Sequence, residues 1–202
     1  MLKAYYQLSK YNKNNSLIRK TRKKKSRSFL HHFHQVLSPI LGCAVTQTVH
    51  IHTTGNSFSP NNAGAQFKAA DRGFGTDLGP DIAGIVVGTG NNPVDINDYD
   101  LTTRIAHGIT SNTLEYFNCS VRALTINTGS NTGTFELYRF FRNSSGGSIT
   151  ITELGVLQTA SYNPGSILIS YGILTIRDLV SPGFQINDGE YMKITYTFQI
   201  VS

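Results

Sequence analysis

From Val45 to the C-terminus the chain reads as short stretches of period-two alternation broken by turn residues. Val45, Gln47, Val49 and Ile51 fall on one side of an expected strand, with Thr46, Thr48, His50 and His52 on the other. Residues 82–87 form a continuous apolar run, the pattern of a strand covered on both faces. Residues 114–126 alternate, with an irregularity expected near 118–120, and residues 134–141 follow a turn-forming Thr-Gly-Ser-Asn-Thr-Gly segment. Further strands are expected over 148–154, 167–176 and 191–201. In the last, Met192, Ile194, Tyr196, Phe198 and Ile200 alternate with Lys193, Thr195, Thr197 and Gln199. Asn143 to Gly147 and Asn187-Asp188-Gly189 supply turns. Short helical segments are expected at 29–41, 66–71 and 99–106.

Many short strands without a long intervening helix predict an all-β domain. An antiparallel β-sandwich of jelly-roll or immunoglobulin-like kind, with about seven to nine strands, is expected. It spans residues 45–202 and includes a long irregular loop at 53–80, rich in Gly, Asn and Ser, of a length that usually serves a function.

Charge separates what precedes this domain. Ten of the 18 basic residues lie within residues 1–34, and the first acid in the chain is Asp71. Residues 35–202 carry 8 basic and 12 acidic residues, a net of −4 within a whole chain of +6. Residues 1–44 are therefore expected to form an extended basic N-terminal arm, mobile over residues 1–28. A body without residues 1–34 is expected to fold alone. Arg19, Lys20, Arg22, Lys23, Lys24, Lys25 and Arg27 are the binding candidates of that arm. They suit the phosphates of a packaged nucleic acid, with Tyr5, Tyr6 and Tyr11 stacking on bases, or acidic patches on neighbouring subunits, or solvent alone. The stretch from Lys23 to Cys43 has the order of a signal sequence, but His31, His32, His34, Gln35 and Pro39 interrupt its apolar part. No apolar run is long enough for a membrane-spanning helix, so no membrane partner is expected.

Chemistry-bearing residues are sparse. His50 and His52, at i and i+2 on one strand face, are weak metal candidates; a polar strand face is the plainer reading, and no metal or other cofactor is expected. Asp95, Asp98 and Asp100 lack the ordered spacing of a calcium loop and suit turns better. Gly88-Thr89-Gly90 follows a strand but leads into Asn-Asn-Pro, not a helix, so it is not a phosphate loop. Cys43 and Cys119 read as free thiols. His107 reads as structural or solvent-facing. No Ser/His/Asp set or carboxylate pair emerges, and a non-enzymatic protein is expected.

Residues from 84 onward carry a series of motifs: Gly84-Ile85-Val86-Val87-Gly88-Thr89-Gly90, then Asp98-Tyr99-Asp100-Leu101, then Gly146-Gly147 into Ile149-Thr150-Ile151-Thr152-Glu153-Leu154-Gly155, then Arg177-Asp178, and finally Gly189 to Ile194-Thr195-Tyr196-Thr197. In this order they resemble a β-sandwich module of structural proteins in tailed-phage and related virus particles, of capsid-decoration, head-fibre or tail and baseplate type. The resemblance implies a self-assembling virion protein whose partners are copies of itself and other virion proteins, located in the particle. It implies no active site. A secreted or surface adhesive, carbohydrate-binding sandwich is the alternative, with Phe58, Phe67 and Phe74 as candidate contacts. Glu153 and Arg177 are single charges inside apolar strands and are expected to pair across the sandwich.

Overall fold

The computed structural model describes residues 2–26, 28–30, 33, 49–50, 57–58, 83–162 and 169–201. In chain order the strands are β1 (Leu2–Tyr11), β2 (Leu17–Lys20), β3 (Lys24–Lys25), β4 (Val49–His50), β5 (Ser57–Phe58), β6 (Gly84–Gly88), β7 (Glu115–Tyr116), β8 (Ser120–Asn127), β9 (Thr132–Arg142), β10 (Ile149–Tyr162), β11 (Ile169–Ile186) and β12 (Tyr191–Val201). The fold is all-β, with two main antiparallel sheets, consistent with a β-sandwich. The larger runs β2-β1-β12-β9-β7, with β3 also on β1 and β8 also on β9. The smaller is β11-β10-β6, and β4 and β5 form a separate pair.

The core lies between the two main sheets. Met192, Ile194, Tyr196 and Phe198 of β12, Leu137 and Phe141 of β9, and Ala4, Tyr6 and Leu8 of β1 are buried there, as are Ile85, Val87, Leu154, Val156 and Ile176 of the smaller sheet. Each Val, Leu, Ile, Met or Phe side chain among them contributes roughly 1.5–3 kcal/mol by leaving water. Polar pegs cross the same layer. The Tyr6 hydroxyl donates to the Leu179 carbonyl (3.0 Å) and the Tyr196 hydroxyl to Asp178 (3.1 Å). Arg139, on the inner side of β9, donates to the Ala83 and Ile85 carbonyls at the start of β6 (3.0 and 2.7 Å).

The N-terminal segment corrects the expectation of a mobile basic arm over residues 1–28. Ala4, Tyr6 and Leu8 are buried and alternate with the partly exposed Lys3, Tyr5 and Gln7, so one side of the segment completes the core while the other faces outward. β1 pairs with β12 from Leu2↔Ile200 to Tyr11↔Tyr191. Asn12 then closes a turn by accepting from the Asn14 and Ser16 amides (2.9 Å each), and β2 and β3 return along the free edge of β1. The boundary at Val45, the expected helical turn at 66–71 and most of residues 29–41 lie outside the described residues. Of the last stretch, Phe29 bridges to Ile176 and the Leu30 amide donates to the Thr175 carbonyl (3.0 Å), so its start runs against β11; Phe33, the one further residue described, is helical and its amide donates to the Leu30 carbonyl (3.0 Å), in keeping with the expected short helix. Residues 99–106 form turns and an isolated bridge, Gly88↔Arg104, and not the expected short helix.

Two expectations follow. Deleting residues 1–11 strips β12 of a neighbour and exposes Tyr196 and Phe198, so the shortened chain should lose cooperative thermal unfolding; an unchanged melting temperature would contradict the role of β1. Burial, reinforced by Asp178, pushes the Tyr6 phenol up to about 12 from an ordinary 10.0, and Tyr196 is raised for the same two reasons. The folded state thus holds protons that the unfolded chain releases, and the contribution of the Tyr6 phenol to stability should be level below pH 10 and be lost between about 10 and 12. Tyr6→Phe should flatten that fall in melts taken across the range.

Candidate functional site

The strand register assembles a continuous outer face on the larger sheet. Tyr11, Tyr191, Arg142 and Glu115 form one row across it. Lys20, Ser9, Lys193 and Phe140 form the next, and Gln7, Thr195, Tyr138 and Ser120 the third. Below them run Lys25, Tyr5, Thr197, Glu136 and Arg122, then Lys3, Gln199, Thr134 and Thr125. The strands alternate here because the other half of each is in the core.

Rings and cations on this face touch. The Lys193 ammonium lies 4.4 Å from the Tyr138 ring centroid and 5.3 Å from that of Phe140. Arg122 lies 5.8 Å from Tyr138, and Arg142 lies 5.7 Å from Tyr191. Tyr11 and Phe140 are 6.1 Å apart between centroids, and Phe117 and Tyr191 6.2 Å. Two acids share the surface, each with a local cation: Glu136 with Arg122 (3.5 Å) and Glu115 with Arg142 (3.6 Å). Lys3, Lys20, Lys25 and Lys193 have no carboxylate partner among the described residues.

The cations expected to act together in an arm are split by the fold. Lys20 and Lys25 join the outer face, while Arg22 and Lys23 are exposed between β2 and β3. Arg19 turns the other way and lies 5.2 Å from the Phe184 ring. Lys24 donates to the Ser181 carbonyl (2.6 Å), and Lys10 pairs with Glu190 (2.8 Å) at the β11–β12 turn. Arg27 lies outside the described residues. Tyr6, expected among the stacking tyrosines, is buried in the core; Tyr5 and Tyr11 are on the outer face. The aromatic and basic residues contributed by β9 and β12 were not singled out from the sequence, although their alternation places them opposite the core.

Other candidates resolve into structure. His50 closes the β4–β5 pair opposite Ser57, and His52 lies outside the described residues, as do Cys43, Phe67 and Phe74; Phe58 is in β5. No cluster of three metal-ligating side chains occurs among the described residues. The His107 ring accepts from the Tyr116 amide through Nδ1 (3.0 Å), a structural contact. Cys119 is a buried free thiol, pushed up by that burial against the opposing effect of Arg139.

Beneath residues 89–105, on the outer side of the smaller sheet, is a buried ionic network. Arg177 donates to Glu153 Oε2 through Nε and Nη2 (3.1 and 3.0 Å), to Asp98 through Nη1 (2.6 Å), and to Thr102 Oγ1 and the Asn92 carbonyl through Nη2 (2.7 and 3.1 Å). Glu153 also accepts from the amides of Gly90 (3.1 Å), Thr103 (2.8 Å) and Thr102 (3.1 Å). Burial opposes the Arg177 charge, but the Asp98 and Glu153 carboxylates outweigh it and hold the guanidinium above its ordinary value. Glu153 and Arg177 thus pair as expected, but sideways between β10 and β11 of one sheet rather than across the sandwich. A Cβ on Gly90 would come within 2.5 Å of Glu153 Oε1, and one on Gly88 would collide with the same atom. Those glycines make room for a carboxylate, not a phosphate.

Comparisons with protein-family models, with curated proteins and with solved structures find no match.

Breaking a fully buried pair leaves one charge uncompensated. Arg177→Met and Glu153→Gln should each lower stability in denaturant titrations, the first by about 3–5 kcal/mol. The double variant should lose less than the two losses added together; strict additivity would mean that the pair is not coupled.

Proposed function

We propose that this chain is a non-enzymatic structural subunit of a virus particle, of the kind built from β-sandwich modules in tailed phages, and that it assembles with copies of itself. The sequence motifs that resemble such modules support the reading, and one structural feature carries it. β8 pairs with β9 on one side and, among the described residues, is an edge of the larger sheet. Val121, Leu124 and Ile126 on this strand are 47%, 55% and 69% exposed, far above what an edge needs for solubility. Register continues the apolar strip inward: Ile126 and Ile200 flank Gly133, and Ile200 pairs with Leu2, the last two being 51% and 37% exposed.

The opposite edge is built in the contrary way. β2 and β3 present Lys20, Lys24 and Lys25 beside the exposed Arg22 and Lys23, which discourages pairing with a like edge. One inviting edge and one repelling edge favour a contact of β8 with β8 of a second copy, antiparallel about a twofold axis. Such a contact extends the sheet and sets the exposed apolar side chains of β8 in one copy beside those of the other.

Light scattering on the eluting full-length chain tests this. The wild type should run as a dimer or larger, and Leu124→Glu with Ile126→Glu should give a monomer with an unchanged melting temperature. A wild type that stays monomeric at about 100 µM, a weak-dimer threshold of about 5–6 kcal/mol, would contradict the proposal.

A further inference from the structure

We infer that the outer face of the larger sheet is a binding surface for single-stranded nucleic acid. Three observations carry this. The first is sign: Lys3, Lys20 and Lys25 of the basic N-terminal segment are brought beside Lys193, Arg122 and Arg142, six cations on a face that carries only Glu115 and Glu136 among the described residues. A face with that excess of positive charge attracts a polyanion. The second is the interleaving of rings with those cations. Tyr138 and Phe140 flank Lys193, and Tyr191 lies beside Arg142, so a phosphate drawn to a cation brings its base next to an aromatic ring. Phe117, 42% exposed, leaves an open ring at one end.

The third is shape. Five strands abreast at about 4.8 Å spacing, and eight residues of rise at about 3.3 Å, give a face of roughly 20 by 27 Å. That suits about four nucleotides, the lower end of what one β-barrel module binds. A double helix presents its bases inside and leaves the rings without a partner. A neutral glycan uses rings but not the cations. The binding surface reaches β8 only through the outward side chains of Ser120, Arg122 and Thr125, whereas the proposed assembly contact uses the backbone edge of that strand, so binding by the monomeric Leu124→Glu, Ile126→Glu variant tests the surface separately from assembly.

Fluorescence anisotropy of labelled dT20 with the full-length chain tests the inference, beside an abasic 20-mer of equal charge and unlabelled heparin as competitor. The expected result is binding of dT20 that weakens about 50-fold between 50 and 200 mM salt, as displacement of counterions by about four cations requires. The abasic strand should bind at least tenfold more weakly. Lys20→Glu with Lys193→Glu should remove dT20 binding, and Tyr138→Ala should weaken it about tenfold while leaving the salt slope unchanged. Both variants should keep the wild-type melting temperature, and Lys25→Glu replaces the double variant if that does not fold. No binding of dT20 at 50 mM salt would overturn the inference. So would equal binding of the abasic strand or displacement by heparin at equal charge, either of which would mark a surface for polyanions without bases.

Discussion

The Arg177–Glu153 pair is the constraint on which the smaller sheet depends. Two opposite charges buried side by side in β10 and β11 hold only if every remaining donor and acceptor is met, and residues 89–105 meet them. The chain leaving β6 must therefore fold back over the sheet, with Gly88 and Gly90 leaving the space that the Glu153 carboxylate fills. Leu101, drawn in with this strap, is buried against Gly155, where a side chain would collide with it. The motifs spread along residues 88–177 thus converge: Gly88 and Gly90, Asp98 and Leu101, Glu153 and Gly155, and Arg177 form one lock. Their chemistry is structural.

The larger sheet depends on the N-terminal strand in a comparable way. Without β1, the β12 side chains Tyr196 and Phe198 face water, and Tyr6 cannot reach Leu179 across the sandwich. The same strand delivers Lys3, Tyr5 and Tyr11 to the outer face and anchors β2 and β3, which bring Lys20 and Lys25. The basic segment is in this sense both core and surface. Its placement makes one sheet edge cationic and leaves β8 as the apolar one.

Much of the body was legible in period-two alternation. The β12 strand coincides with the expected 191–201, and the break between β7 and β8 falls at 117–119, beside the expected irregularity. β10 and β11 run further than expected because backbone pairing continues through Gln158 to Tyr162, where apolar alternation stops, and through Arg177 and Asp178, whose charges find partners. The N-terminal strand was misjudged because ten cations dominate an average over 34 residues, although Leu2, Ala4, Tyr6 and Leu8 carry the same alternation used elsewhere. The outer face was not legible as a unit. Its residues come from seven strands, three within residues 2–25 and four within residues 115–201, and only register brings them together.

The arrangement as a whole requires β1 to be a permanent strand and β8 an edge awaiting a partner. Hydrogen exchange resolved by residue, on dilute and on concentrated protein, tests both. Amides at 4–8 should be protected as strongly as those at 192–198 at every concentration, and the amides of 120–127 that point away from β9 should exchange quickly in dilute solution and slow on concentration. Fast exchange at 4–8, or exchange at 120–127 that does not respond to concentration, would contradict the account.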